Sequence, residues 1–227
     1  MANKIRDLST DAIVLKRTNY GEADRILTLI TPLGQRSAIA KSVRKEKSKL
    51  AGAVEPFTLA KMNLHEGRGE LLVVTGVKVE RFYSNVLKDF TRLEVASEVL
   101  KRVMRVSSLV DSPDYFDITK QSLTALDMGA DIEKVVTWFY LNLAKASGEE
   151  INLHFDTDGE PLGENSWYVW DAMELGLKKE PHGKIAKNEI KMLRLMLAAK
   201  LSLVLRVKNT EEMMPELLYI AKTLNRL

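Results

Sequence analysis

The stretch Gln35-Arg36-Ser37-Ala38-Ile39-Ala40-Lys41-Ser42-Val43-Arg44-Lys45-Glu46-Lys47-Ser48-Lys49 carries two signals end to end. From Gln35 to Lys41 the residues alternate. Ser37, Ile39 and Lys41 fall on one side and Arg36, Ala38 and Ala40 on the other, the period of a β-strand with two unlike faces. From Arg36 to Lys49 six basic residues (Arg36, Lys41, Arg44, Lys45, Lys47 and Lys49) face one acid, Glu46, a net charge of +5. Residues 1–80 as a whole hold 14 Lys and Arg against 9 Asp and Glu, again +5, whereas residues 81–227 hold 20 against 22. The basic excess of the first part therefore sits in one short piece of chain. A focused excess is the footprint of a phosphate-binding surface; the bland alternative is a solvated loop.

Four further strand-like runs surround this stretch. Asp11 to Lys16 carries Ile13, Val14 and Leu15; Asp24 to Thr31 carries Ile26, Leu27, Leu29 and Ile30. In Thr58 to Leu64, Thr58, Ala60, Met62 and Leu64 alternate with Leu59, Lys61 and Asn63, and Leu71 to Glu80 is rich in Val. Asn19-Tyr20-Gly21, Thr31-Pro32-Leu33-Gly34 and Glu66-Gly67-Arg68-Gly69 supply the turns. Five short strands in about 80 residues suit a closed barrel of the OB type, because closure removes sheet edges. Ser42 to Val54 interrupts the pattern after the third strand, with Ser48 to Ala53 read as a short helix or a mobile loop.

Beyond Phe82 the period becomes helical. Val86, Leu87, Phe90, Leu93, Ala96, Leu100, Val103 and Met104 recur at three and four residues. Ser112-Pro113 opens a second helix that runs to Gly129, and a third runs from Asp131 to a terminator at Gly148. Asp158-Gly159 reads as a hairpin turn, Ser166 as the cap of a short helix through Met173, and Lys178 to Lys187 as a basic loop. Helices over Asn188 to Arg206 and Thr210 to Leu227 close the chain. The expected fold class is α+β: a five-stranded OB barrel over residues 1–80, then an all-helical domain over 81–227 with a hairpin insertion at about 147–172. The hinge is expected near 80–84.

Composition excludes several chemistries. The 227 residues contain no cysteine, which removes disulfides, thiolate metal sites and cysteine nucleophiles. His65, His154 and His182 lie in different elements without a partner pattern, and no Walker loop, dinucleotide fingerprint or zinc-ligand pair is present. His154-Phe155-Asp156-Thr157-Asp158-Gly159-Glu160 is too short for an EF-type calcium loop. No cofactor and no catalytic residue is expected. No apolar run reaches a membrane span, and the N-terminus lacks the apolar core of a signal peptide, so the expected location is the cytoplasm. Within residues 1–80 the aromatics are only Tyr20 and Phe57. Base stacking is therefore a minor term, and binding should be electrostatic and steeply salt-dependent. The aromatics Trp138, Phe139, Tyr140, Trp167, Tyr168 and Trp170 of the later part are expected mostly in the core, a few of them lining a pocket.

Ala12-Ile13-Val14-Leu15-Lys16-Arg17, Gly21-Glu22-Ala23-Asp24-Arg25, Thr31-Pro32-Leu33-Gly34, Lys41-Ser42-Val43-Arg44-Lys45, Lys47-Ser48, Pro56-Phe57 and Gly67-Arg68-Gly69-Glu70-Leu71 occur in the order and spacing of the bacterial RecO family. The sequence resembles that family strongly over the N-terminal third and in length and helical pattern beyond it. The resemblance implies a DNA repair and homologous recombination mediator of the RecF pathway, located with the nucleoid. It implies binding of single- and double-stranded DNA, annealing of complementary strands, contact with the acidic tail of single-stranded-DNA-binding protein, and cooperation with RecR to load RecA. It places the DNA-binding surface on Lys41, Arg44, Lys45 and Lys47, with Ser48 as a phosphate hydrogen-bond donor. Charge adds Lys49 to this set, and Lys16, Arg17, Arg25, Arg36 and Arg68 as further barrel candidates. Many family members carry a four-cysteine zinc site where this chain has Ser147 to Ala172, so the hairpin here is expected to be a cysteine-free remnant of a zinc-finger-like element. The common family pattern also has a glycine where Ser42 stands, and serine there predicts a more ordinary backbone. The alternatives are an RNA-binding OB protein and a scaffold that meets protein rather than nucleic acid.

Overall fold

The computed structural model describes residues 7–46, 48, 50–67 and 71–225. Five strands, β1 (Asp7–Tyr20), β2 (Asp24–Thr31), β3 (Gly34–Ala40), β4 (Thr58–Glu66) and β5 (Leu72–Phe82), close into a barrel of order β1-β2-β3-β5-β4. All neighbours are antiparallel except β3 and β5, which run parallel through Ala38↔Leu72 and Ile39↔Val73. This is the expected OB-type order. Its interior is small, and the residues that fill it are small: Ala12, Ala38, Ala40 and Ala60 lie beside Val14, Leu27, Leu29, Met62 and Leu64, all essentially fully buried. The alternation of Ala38 and Ala40 with Ser37 and Ile39 thus points the alanines inward. At the β2–β3 turn the Thr31 hydroxyl donates to Gly34 O and accepts from Leu33 N–H, and Gly34 takes φ +90°, a region where a side chain would be strained.

Two helices follow, α1 (Phe90–Val106) and α2 (Asp114–Asp127). The Asp89 carboxylate caps α1 by accepting from Arg92 N–H, and the Ser112 hydroxyl accepts from Asp114 N–H at the start of α2. Both helices pack on β1, and α2 also on β2. That is why Ala12, Ile13, Val14 and Leu15 are all buried although a strand alternates: one face fills the barrel and the other meets the helices. The change of period near residue 82 separates strands from helices, but the compact units divide elsewhere, with the first ending at Asp127 and the second beginning at Met128. Asp127 helps to hold the end of β5 within the first unit. Its Oδ2 accepts from Arg81 Nη2 at 2.8 Å and its Oδ1 from Asn85 N–H at 2.9 Å.

The second unit contains α3 (Ile132–Ser147), β6 (Tyr168–Asp171), β7 (Gly176–Lys179), α4 (Lys187–Ala198), the one-turn α5 (Leu201–Val204) and α6 (Met214–Thr223). Asp131 caps α3 and Gly148 ends it at φ +92°. Three expectations are corrected. The second unit is not all-helical, because the short helix expected from Ser166 to Met173 is the strand β6. Tyr168 and Trp170 alternate inward, and the Asp171 carboxylate closes the turn to β7 by accepting from Met173 and Glu174 N–H, contacts that lower its pKa. Part of the expected basic loop is β7, which pairs Lys178 with Val169 and Lys179 with Tyr168. The helix expected over Asn188 to Arg206 breaks at Ala199, which is extended, and Ala199 O accepts from Trp138 Nε1 at 3.0 Å. Trp138, Phe139, Tyr140, Tyr168 and Trp170 are buried and Trp167 is half exposed. Among the described residues no helix is long and apolar enough to cross a membrane.

Candidate nucleic-acid interface

The segment after β3 leaves the barrel with its anchors alternating with its charges. Val43 is 1% exposed and belongs to the barrel core, and Val54, closing the one-turn 3-10 helix Ala51–Val54, is fully buried. Between and beside these two plugs, Lys41, Arg44 and Lys45 are exposed. One backbone and one side-chain contact tie the entry to the β1–β2 turn: Arg44 N–H donates to Ala23 O at 2.9 Å, and Arg44 Nη1 donates to Gly21 O at 3.2 Å. Ser48, half-buried, donates its N–H to Lys45 O at 2.9 Å, and its hydroxyl accepts from Leu50 N–H at 3.3 Å, so this serine shapes the loop itself. Lys47, Lys49 and Arg68 lie outside the described residues.

Ser42 overturns the expectation of an ordinary backbone. It holds φ +54°, the left-handed conformation a glycine would adopt freely. The cause is its neighbours: Asp24 Oδ1 accepts the Ser42 N–H at 2.7 Å, and Val43 must turn inward next to it. Replacing Ser42 by Gly is expected to stabilise the chain by about 0.5–1 kcal/mol, the left-handed strain less the greater freedom of the unfolded glycine, and Val should destabilise it by a similar amount or more. Thermal unfolding of the two variants measures this ranking, and a Val variant as stable as the Gly variant would contradict it.

The remaining barrel candidates separate into groups. Arg25 pairs in register with Ala40, and Arg17 with Leu27, which places both toward the barrel end that carries Lys41 and Arg44. Both contact Glu55, a residue that sequence reading did not single out. Lys16 is exposed one position earlier on β1. Arg36 stands toward the other end of β3, where its Nη1 donates to Gln35 O, beside the contact between Gln35 Oε1 and the Ser107 hydroxyl. The structure thus brings Lys41, Arg44 and Lys45 together with Arg17 and Arg25, and sets Arg36 apart. The histidines are exposed and separate, His65 bonding Asp7 at 2.8 Å.

A closed five-stranded barrel of OB order, with an anchored basic loop between its third and fourth strands, defines the class. Residues 5–96 match the family model described as Recombination protein O N terminal. The chain is 34% identical over 146 residues to the DNA repair protein RecO of Roseiflexus sp. (strain RS-1), covering 64% of this chain and 51% of that protein. It is 33% identical over 147 residues to the DNA repair protein RecO of Dehalococcoides mccartyi (strain CBDB1), covering 64% of this chain and 58% of that protein. The aligned region thus spans little more than half the length of these relatives. Residues 5–96 thus carry a domain of the recombination protein O N-terminal type, and the chain is similar to DNA repair proteins RecO over 64% of its length.

Proposed function

We propose that this chain is a non-catalytic DNA-binding mediator of repair and homologous recombination. The carrying observation is the basic segment Lys41 to Lys49, with a net charge of +4, anchored by Val43 and Val54 so that Lys41, Arg44 and Lys45 project from one barrel end. Contact through backbone charge suits single- and double-stranded DNA alike, and screening two strands at once promotes their annealing. The family resemblance extends the proposal to strands coated with single-stranded-DNA-binding protein, to cooperation with RecR and, through it, to RecA loading.

For the acidic tail of single-stranded-DNA-binding protein, the second unit offers a cleft of about 520 Å³ whose lining includes Lys145, Glu150, Arg194, Ile151, Leu153 and Leu197; Lys145 pairs with Glu150 at 3.0 Å, so a tail carboxylate would have to take its place. It sets Lys145 and Arg194 beside apolar walls, as an acidic peptide with apolar residues requires. The exposed Trp167 instead borders a groove with Glu189, Glu211, Glu212 and Glu216, the wrong sign for such a tail.

We read residues 147–172 as the counterpart of the zinc element of other members. A four-cysteine site does not fit, because the segment supplies no thiolate. Its turn is built on the buried Asp156, whose Oδ1 accepts from Asp158 and Glu160 N–H at 3.0 and 2.9 Å, with Gly159 at φ +82°.

The test is annealing of complementary strands coated with single-stranded-DNA-binding protein. The chain should accelerate it, and removal of the acidic tail should abolish the gain. Strong preference for RNA over DNA of equal length would replace this reading with an RNA-binding one. Absence of any salt-sensitive binding would leave a protein scaffold.

A further inference from the structure

At the exit of the basic loop one carboxylate holds two arginines. Glu55 directly follows the turn Ala51–Val54. Its Oε2 lies 2.9 Å from Arg17 Nε and its Oε1 2.8 Å from Arg25 Nη1. The two arginines are not equivalent. The Arg25 side chain is only 15% exposed and its Nε is buried without a hydrogen-bond partner, so Arg25 is committed to the interior and to Glu55. The Arg17 side chain is 37% exposed, and its strand leads to the β1–β2 turn on which Arg44 is docked. Arg17 therefore has the position of a phosphate contact but is already occupied by an anion. Carboxylate and phosphate oxygens are the same class of acceptor for a guanidinium. A carboxylate tethered at contact distance competes with every phosphate that approaches.

We propose that Glu55 masks Arg17 from nucleic acid and so limits the affinity of the basic barrel end. The inference rests on the reading of that end as a phosphate-binding surface. Arg25 positions the competitor: its bond to Oε1 holds the carboxylate so that Oε2 faces Arg17. A phosphate that captures Arg17 weakens one of the two ion pairs that hold the loop exit to β1 and β2, so binding and the freedom of residues after Val54 are coupled.

The variant Glu55→Gln keeps the size of the side chain and an oxygen for Arg25 but removes the charge. Binding of a fluorescent single-stranded oligonucleotide is measured against salt concentration. One additional phosphate contact steepens the log–log salt slope by about 0.7, which at about 0.1 M salt corresponds to roughly 5-fold tighter binding. Adding Arg17→Ala to Glu55→Gln should remove that gain. A Glu55→Gln chain with an unchanged or shallower slope overturns the masking, even if its melting temperature falls, because a purely structural role for Glu55 moves stability and not the slope. A wild-type chain without salt-dependent binding overturns the phosphate-surface reading and the masking together. Wild-type binding with an unaltered Glu55→Gln slope overturns the masking alone.

Discussion

Replacing Arg44, Lys45, Lys47 and Lys49 together by alanine is expected to weaken DNA binding about 100-fold or more at about 0.1 M salt and to make the salt slope shallower by about 3. Each cation that neutralises a phosphate releases a counterion, with a slope contribution of about 0.7 on single strands and about 0.9 on duplex, so four lost contacts give a change of this size. Little else on the barrel can compensate. Among the described barrel residues Tyr20 and Phe82 are about half exposed and Phe57 only 9% exposed, so two rings at most are open to bases, fewer than a stacking platform of several aromatic rings. The fold should survive the change. Arg44 and Lys45 are exposed, the plugs Val43 and Val54 remain, and the anchors Ser42 N–H to Asp24 and Arg44 N–H to Ala23 O do not depend on the replaced side chains. The side-chain bond from Arg44 to Gly21 O is lost, worth about 1 kcal/mol at most for an exposed contact. Titration of labelled single-stranded and duplex DNA over a range of salt, alongside a melting curve, separates the two effects. An unchanged slope with an unchanged melting temperature would remove the loop from the binding surface.

The parts of this structure that a reader of the sequence can recover are those fixed by short-range patterns. The alternation in Gln35–Lys41 and Thr58–Leu64 is a local signal, and both segments are strands. The charge excess of 36–49 is equally local. What local patterns do not reveal has long-range causes. Burial of Ile13 and Leu15 outside the barrel requires α1 and α2, which follow β5, so the continuous apolar run in β1 is meaningful only once they are in place. Ser42 looks unremarkable until Asp24, 18 residues earlier, supplies the acceptor that helps to hold its positive φ. Trp167, Val169, Trp170 and Met173 mimic helical spacing. The pairing of β6 with β7 and with Ile185 selects the strand instead, a choice made by partners rather than propensity. Arg17 and Arg25 read as free cations because nothing near them in sequence announces Glu55, which reaches Arg25 across 30 positions. A charge count locates a basic surface, but the ion pairs within it decide which of those charges a ligand can use.

The same dependence on distant backbone makes Gly183 the position where the smallest substitution should do the most damage. Gly183 is buried, and its φ is not positive, so alanine is conformationally allowed there. The obstacle is space: a Cβ would fall within 3 Å of the carbonyl oxygen, carbonyl carbon and nitrogen of Tyr168, and backbone atoms cannot turn aside as a side chain would. Tyr168 has no room to retreat. It is fully buried, it pairs with Lys179 on one side, and it exchanges both backbone hydrogen bonds with Ile185 on the other, at 2.8 and 3.0 Å. Its hydroxyl also accepts from Gly163 N–H at 2.7 Å, so displacement of this strand would disturb the segment before it. Gly183→Ala is therefore expected to destabilise the second unit by about 3 kcal/mol, at the upper end of ordinary overpacking, and to lower its melting temperature by roughly 10 °C or more. Gly52→Ala is the matched control: no atom lies within 4 Å of its added Cβ and its φ is not positive, so it should be neutral or slightly stabilising. Hydrogen exchange should place the loss locally, with the Ile185 and Tyr168 amides losing protection in Gly183→Ala before the barrel amides do. If Gly183→Ala and Gly52→Ala melt together, then the Tyr168–Ile185 bridge yields at little cost, and the close approach at Gly183 does not limit the stability of the second unit.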